Sequence, residues 1–381
     1  MHILVLPNNY PSSSQPYAGI FFVEQAEALA RKGIEVGMVY TRTRSLREFG
    51  IGKFLRETHF QQERFERNGV NTWLKHAWNP LITSGPGRKI WLYWALKTVE
   101  KYIRRFGKPD MIHAHCVCWA GDLARTIQKK WNIPYVITEH SSAFLTGNYT
   151  PKKFIKEAYD HADRVWAVSE KLCKAISPLT GRAVNVMPNF VNTRFFSEQP
   201  LSGKPENRPF TFFSLGNLAP HKGFEELIHA FTASFGKDEN VRLVIGGTGY
   251  LYSHLRRISV ENNRERQIEF TGPLSREEVK EWMYRSDVFV LASHFETFGV
   301  VFIEAMACGL PTIGTRCGGP EELIVPETGY LTEVGDTEEL ANTMKQAREN
   351  RDRFDPAFIR QHAAQYDSDY LAGQLLEQYE K

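Results

Sequence analysis

The sequence predicts an α/β protein built from two doubly wound domains, each with a parallel sheet covered by helices on both faces. Three observations carry that expectation. Short β-branched runs alternate with segments that are amphipathic at helical spacing, and the alternation occurs in both halves of the chain. Between the halves, residues 188–209 (PNFVNTRFFSEQPLSGKPENRP) are rich in Pro, Asn, Gly and Ser and lack long periodicity, as a boundary does. A length of 381 residues suits two or three domains, and 42% hydrophobic with 24% charged residues is an ordinary composition for large cores.

In the first half the expected strands are 2–7, 34–40, 110–115, 134–138, 163–168 and 183–188, with a helix over 21–31 between the first two. In the second half they are 210–216, 241–247, 267–272, 287–293 and 311–315, with helices at 225–235 and 276–285 among the connections. Residues 367–381 read as a last helix. Doubly wound sheets take ligands at the carboxyl ends of their strands, so two such domains are expected to face each other across a cleft. The boundaries follow as a first domain over 1–190, a linker over 191–208, a second domain over 209–365 and a terminal segment over 366–381.

Charge is unevenly spread. Residues 1–200 hold 28 Lys and Arg against 16 Asp and Glu, whereas residues 201–381 hold 19 against 28. Halves of net +12 and −9 thus make up the net +3 of the chain and point to different partners for each. No nucleic-acid-binding motif accompanies the positive charge, so nucleic acid is not an expected partner. The cysteines (Cys116, Cys118, Cys173, Cys308 and Cys317) are odd in number and scattered, which argues for a reducing compartment. Cys116 and Cys118 have no second pair at zinc spacing, so packing is the better account of them. Residues 1–10 read as a strand rather than a leader, and no run reaches the ~18 apolar residues of a membrane span. A cytoplasmic protein is expected, at most peripheral to the inner face of the membrane.

The densest chemistry lies in residues 293–311, SHFETFGVVFIEAMACGLP. Thr297, Phe298 and Gly299 read as the turn into a helix that begins at Val300. Glu296 and Glu304 are eight positions apart, a little over two helical turns, so Glu304 returns near the azimuth of the helix entrance about 12 Å along the axis. Backbone N–H groups around Phe298, Gly299 and Val300 form the positive end of the helix dipole and favour an anion such as a diphosphate. Glu304 could then take the hydroxyls of a ribose, and Glu296 those of a sugar. The plainer alternative is a buried helix packed on a strand, with two solvated carboxylates.

This string resembles the E-x7-E signature of retaining glycosyltransferases of family 4, whose fold is GT-B. The whole pattern S-x-x-E-T-F-G-x-x-x-x-E-A-M-A-x-G-x-P is present. Other segments extend the resemblance over nearly the whole chain. GNLAPHKG (216–223) resembles G-R-L-x-x-x-K-G, with Lys222 at the lysine and Asn217 where the family has arginine. Lys222 is thereby implied to meet phosphate oxygens, one cation is missing, and Arg316 or His221 could make it good. IGGTGY (245–250), TGPLSREEV (271–279) and GTRCGGPEELI (314–324) resemble the loops around the nucleotide, though ordinary αβ-loop chemistry accounts for them as well. PNFVNTRFF resembles the interdomain element P-N-G-V-D-x-x-x-F, with Phe190 and Asn192 in place of Gly and Asp.

In the first domain, residues 17–36 resemble the opening loop and helix of bacterial polysaccharide glycosyltransferases. Gly19 is either an approach point for donor phosphates or a helix-terminal turn. TEHSS (138–142) resembles the family's T-x-H, which implies that His140 contacts the donor sugar or assists proton removal. A metal site of His113, His115 and His140 is conceivable but lacks identifiable supporting carboxylates, and Asp367-Ser368-Asp369 reads as helix capping rather than a metal-binding D-x-D. No metal or cofactor is expected. RKIWLYWALKTVEKYIRRFGK (88–108) holds seven basic residues and one acid, and reads either as an interfacial helix for anionic lipid or as a core helix with a solvated basic face. Residues 42–57 are a second basic stretch.

The resemblance implies a retaining, metal-independent hexosyltransferase. It would move a sugar from a nucleoside-diphosphate sugar, UDP before GDP, to a lipid-linked or surface-polysaccharide glycan. His140, Glu296 and Lys222 would be the catalytic set, and Gly19, Asn217, Thr297, Phe298, Gly299, Val300 and Glu304 would help bind the donor. A nucleotide-sugar epimerase and a non-catalytic nucleotide-sugar-binding subunit are the alternatives.

Overall fold

The computed structural model describes residues 1–12, 17–45, 59–82, 84–146, 152–198, 208–236 and 238–380. The expected second basic stretch lies outside the described residues from position 46 onward, as do positions 199–207 of the expected boundary. The chain forms two compact units, Met1–Phe190 with Ser368–Lys381, and Val191–Asp367.

The first unit is built on eight strands: β1 (His2–Leu6), β2 (Glu35–Arg44), β3 (Gln62–Arg67), β4 (Val70–Trp78), β5 (Met111–His115), β6 (Tyr135–Glu139), β7 (Arg164–Ala167) and β8 (Asn185–Val186). Their order is β3-β4-β2-β1-β5-β6-β7-β8, and only the β3–β4 pair is antiparallel. β1 and β6 are buried along their whole length, as strands of a sheet covered on both faces are. The β3–β4 hairpin is absent from the strand assignment by sequence. Its edge strand reads QERFER and exposes five of six residues, so charge that blunts an open edge hides the period-two pattern.

Helix Ile20–Arg31 packs Val23, Ala26 and Leu29 into the same cluster as Ile3, Val5 and Met38. The terminal helix Ser368–Glu380 adds Leu371, Ala372, Leu375 and Tyr379 to that cluster, so the last residues of the chain complete the core begun by the first. Helix Gly85–Phe106 starts at Ser84, whose side chain accepts from the Gly87 N–H at 3.1 Å, and ends at Gly107 with φ +87°. It buries Trp91, Leu92, Ala95, Val99 and Tyr102, and exposes Lys89, Tyr93, Lys97 and Lys101 along the opposite side. It is a core helix with a solvated basic face.

The second unit is wholly parallel. Its strands are β9 (Phe210–Leu215), β10 (Val241–Gly246), β11 (Ile268–Gly272), β12 (Val288–Val290), β13 (Thr312–Thr315) and β14 (Gly329–Thr332), in the order β11-β10-β9-β12-β13-β14. Phe212, Phe213, Phe289 and Phe302 are fully buried in it. β14 (GYLT) is too short to have announced itself. Within the segment read as lacking periodicity, Thr193–Ser197 is a short helix capped by Asn192, which accepts from Phe195 N–H at 3.1 Å. A cap and one turn are too little for a periodic signal.

Leu375→Ala should destabilise the first unit by roughly 2–5 kcal/mol, because a fully buried leucine leaves a cavity. Seven of the eight tryptophans lie in that unit, so a urea titration followed by tryptophan fluorescence reports it. A shift worth less than ~1 kcal/mol would show that the terminal helix does not complete this core.

Candidate functional site

In the second unit, three carboxyl-end loops are pressed together by backbone contacts that only glycine permits. Gly223 has φ +65°, and a Cβ on it would overlap the Ala292 carbonyl oxygen. A Cβ on Gly247, at φ +116°, would overlap the Gly216 carbonyl, and one on Gly249 the Leu218 carbonyl. The loops are then stitched by His294 N–H to the His221 carbonyl at 2.8 Å, Leu218 N–H to the Thr248 carbonyl at 3.0 Å, and stacking of His221 on Phe295 at 4.8 Å. This brings Lys222, at the end of the turn Pro220–Lys222, onto Glu296. Lys222 Nζ donates to Glu296 Oε1, and the Ser293 hydroxyl donates to the same oxygen at 2.9 Å. The pair is largely buried, with side chains 19% and 12% exposed.

Beyond Glu296 the chain enters helix Val300–Ala307. Gly299 caps it in the left-handed region with φ +99°, no side chain accepts a hydrogen bond from its first turn, and that turn holds no acid. Phe298 is buried with its ring against Tyr366 at 5.6 Å, and its carbonyl lies where a Cβ on Gly319 would stand. The Gly319 N–H returns to the Glu296 carbonyl at 3.0 Å. The helix tip formed by Thr297, Phe298, Gly299 and Val300 is therefore held rigidly and left uncapped, the arrangement that favours an anion.

Glu304 lies farther along the helix with its side chain 16% exposed. Burial pushes its carboxyl up to about 7, against a smaller opposing pull from the Arg276 guanidinium at 3.8 Å. Arg276 is itself seated over the rings of Phe195 and Phe196, at 5.4 and 5.1 Å. It opens helix Arg276–Arg285, fixed by a Ser275–Glu278 capping box. Near neutrality Glu304 is divided between a form that only accepts hydrogen bonds and one that also donates, both suited to vicinal hydroxyls. Asn217 is exposed and supplies no cation. Of the proposed substitutes, Arg316 pairs with Glu333 at 3.1 Å, and burial, followed by Lys222, lowers the basicity of His221.

In the first unit, His140 follows β6 and His115 ends β5, with His115 Nδ1 and His140 Nε2 3.0 Å apart. Phe22 contacts both rings, at 4.7 and 5.0 Å, and Phe21 contacts His140 at 5.3 Å. Burial drives the His140 pKa down to about 3, with a smaller push from His113 and a small opposing bond to Asn189. His140 is thus a neutral hydrogen-bonding group at physiological pH and a weak base. His113 is occupied by Tyr379 Oη at 2.5 Å and Thr138 Oγ1 at 2.7 Å, and among the described residues no group of three or more His, Cys, Asp or Glu could hold a metal. Gly19 has φ +72° at the start of helix Ile20–Arg31, and a Cβ there would lie 2.6 Å from the Asn9 carbonyl oxygen. Helix entry alone therefore requires glycine. Asp367 accepts from the Thr193 hydroxyl at 2.7 Å and Asp369 pairs with Arg31 at 2.8 Å, so the D-x-D carboxylates serve different partners.

The structure brings together Lys222, Glu296 and the helix tip, places Glu304 on the same helix, leaves Asn217 at the surface, and puts His140 and Gly19 in the other unit. Sequence inspection missed Arg276, Ser293 and Glu139. Ser293 lies inside the quoted motif and could have been read there. Arg276 reaches Glu304 across 28 positions, a pairing with no local spacing.

Two family models match in succession, Glycosyltransferase Family 4 over residues 18–195 and Glycosyl transferases group 1 over residues 196–363. A protein of Bacillus subtilis (strain 168) named as a teichuronic acid biosynthesis glycosyltransferase, TuaC, is 26% identical over 360 residues, covering 90% of this chain and 88% of that protein. Among solved structures, sucrose-phosphate synthase from Thermosynechococcus elongatus superposes with a TM-score of 0.77 at 20% identity, covering 100% of this chain and 98% of the other. Anabaena HepE in complex with UDP superposes with a TM-score of 0.75 at 20% identity over 100% of both chains. These similarities establish a GT-B fold of two Rossmann-like units.

Glu304 ties stability to pH. Its folded pKa of about 7 lies above the 4.5 of an unhindered glutamate, so between these values the native state holds the proton that the unfolded state has released. Stability should therefore fall as pH rises from about 4.5 to about 7, by roughly 3 kcal/mol, and stay level above that range. Glu304→Gln should remove this component. Parallel denaturation curves for wild type and variant from pH 4.5 to 8 would contradict the assignment.

Proposed function

We propose, from the premise that this chain belongs to glycosyltransferase family 4, that it transfers a hexose with retention from a UDP-sugar to a hydroxyl of a lipid-linked or growing surface-polysaccharide glycan. The observation that carries this reading is the buried Lys222–Glu296 pair beside an uncapped helix tip. In the free protein the two charges compensate each other. An arriving diphosphate offers Lys222 a stronger partner and occupies the tip at 297–300. Glu296, released from the ammonium, is then free to take hydroxyls of the donor sugar.

Each residue has a separable part in this scheme. Lys222 and the N–H groups of the helix tip stabilise the diphosphate as charge develops on it. Glu304 holds the ribose hydroxyls. Asn217 lines the phosphate side without charge, so the leaving group is neutralised by one cation fewer than the family pattern provides. His140, neutral and weakly basic, orients the donor sugar by hydrogen bonding, and Gly19 lets backbone approach the phosphates. The UDP preference draws support from the UDP bound by a protein of the same fold, and the glycan acceptor from the name of the Bacillus relative. No metal is required in this scheme, and chelation should leave turnover unchanged.

The acceptor class implies work at a membrane surface. The solvated face of helix Gly85–Phe106 suits an anionic leaflet, with Lys89, Lys97 and Lys101 around Tyr93 at 55% exposure. Among the described residues no helix is long and apolar enough to cross a membrane.

Nucleotide sugars should be screened by thermal shift. A UDP-hexose at a hundred times its Kd adds about 2.7 kcal/mol of stability, readily seen as a rise in Tm. Glu296→Ala should abolish transfer and Lys222→Ala should cost at least ~100-fold in kcat, both with unchanged circular dichroism. Near-normal transfer by Glu296→Ala, or conversion of the donor with no acceptor present, would refute the scheme. For the membrane, the wild type should sediment with phosphatidylglycerol vesicles and Lys97→Glu/Lys101→Glu should bind at least ~10-fold more weakly, at about 1 kcal/mol per charge. Equal binding of both proteins to neutral vesicles would remove that role from the helix.

A further inference from the structure

Glu139 is fully buried at the carboxyl end of β6, and its carboxylate accepts four hydrogen bonds from three different segments. Oε1 receives the backbone N–H groups of His140 and Ser141, both at 2.9 Å. Oε2 receives the Val117 N–H and the Tyr159 hydroxyl, also both at 2.9 Å. Val117 opens the loop after β5, Ser141 leads out of β6, and Tyr159 is buried in helix Lys153–Asp160.

The loop clamped on the β5 side is strained. Cys116 has φ +68° and Trp119 φ +65° with ψ −67°, conformations uncommon in residues with a Cβ. Such backbone persists only where the surroundings impose it. Glu139 supplies part of that imposition through Val117, directly after Cys116. On the other side the same carboxylate fixes the peptide N–H of His140, whose ring meets His115 and Phe22. A buried carboxylate is a poor way to gain stability, since well-packed apolar side chains do as well or better. It is a good way to hold two loops in one geometry at a strand end, where doubly wound sheets place their ligands.

We propose that Glu139 is a positioning residue for sugar transfer: by pinning the strained loop 116–121 and the turn 140–141 together, it sets where His140 presents itself to substrate. This rests on the family-based function above. Glu139 touches no reacting atom and acts through the two loops.

Glu139→Gln keeps the shape of the side chain but replaces one oxygen by an amide nitrogen, which cannot accept from two of the four donors. With the UDP-sugar that stabilises the wild type most, the variant should lose about 10- to 100-fold in kcat, since sub-ångström displacement of a contact residue is expensive. Its affinity for UDP should stay within about twofold of wild type, because the groups that Glu139 holds, at Val117, His140, Ser141 and Tyr159, include none of the residues proposed to meet the diphosphate. Amide hydrogen exchange should accelerate in peptides spanning 115–121 and 139–142, a readout independent of activity. Tyr159→Phe removes one donor without stranding the charge and should cost about threefold in kcat.

Faster exchange with kcat within twofold of wild type would make Glu139 a purely structural residue and overturn the proposal. So would a loss of UDP affinity equal to the loss of kcat. If Glu139→Gln does not fold, Tyr159→Phe decides alone: unchanged kcat with faster exchange overturns the proposal, and a selective fall in kcat supports it. A wild type that consumes no nucleotide sugar sinks the functional reading itself, which shows before any variant is made.

Discussion

A carbonyl oxygen on Ala292 occupies the space that a side chain on residue 223 would need, and the site of the second unit follows from that one approach. Only glycine admits the contact, and the left-handed φ of +65° at Gly223 excludes other residues a second time. With the two loops at this distance, the His294 N–H reaches the His221 carbonyl and Lys222 is delivered onto Glu296. Push the loops apart by one methyl group and both links fail together. The charged pair is thus a consequence of backbone packing, and long side chains alone could not have secured it at comparable entropy.

Such a pair is weak evidence for stability. Desolvating an ammonium and a carboxylate costs about as much as their attraction returns, so an apolar pair of similar volume would serve the fold as well. In the proposed scheme the pair instead keeps Lys222 and Glu296 in place for a diphosphate and a sugar. The two acids of the same short motif also end in different surroundings: Glu296 meets an ammonium and a hydroxyl, whereas Glu304 is dominated by burial and rises to about 7. Arg276 is too far, at 3.8 Å, and too occupied with the Phe195 and Phe196 rings to reverse that. Two glutamates eight positions apart can therefore take different hydrogen-bonding parts without different chemistry in the side chain.

The same reasoning explains what the bare sequence disclosed. Residues 216–223 and 293–311 were legible because close backbone approach demands glycine at fixed places and a helix tip demands a definite turn before it. Strands β1, β6, β9 and β10 were legible because burial on both faces leaves them mostly apolar, β-branched or aromatic. The β3–β4 hairpin was hidden because an edge strand carries charge for reasons unrelated to its pairing. Arg276 and Glu139 were hidden for another reason. Arg276 meets Glu304 from 28 positions away, and Glu139 joins the neighbouring N–H groups of His140 and Ser141 to Val117 and Tyr159, about 20 positions off on either side, a gathering of four donors with no spacing by which to be recognised. Asn217 shows the converse: the departure from the family pattern is plain in the sequence, and the structure leaves that side chain at the surface without a cation to offer.

Net charge proves a poor guide to where the chemistry lies. The half with net −9 holds the proposed anion site, because one lysine and one helix tip act within a few ångströms while the remaining charge is screened over about 8–10 Å. The half with net +12 gathers neutral groups at its sheet edge, where burial holds His113, His115 and His140 unprotonated. Its cations on helix Gly85–Phe106 lie instead on the exposed face. A cationic sheet edge would bind any phosphate, including free nucleotide, and would compete with the donor site for the same ligand. In the proposed scheme a neutral edge of imidazole, aromatic and backbone groups would discriminate by hydroxyl geometry, and that discrimination would be only as sharp as the loops that carry it are fixed. The buried carboxylate and the strained backbone beside it are what such sharpness requires.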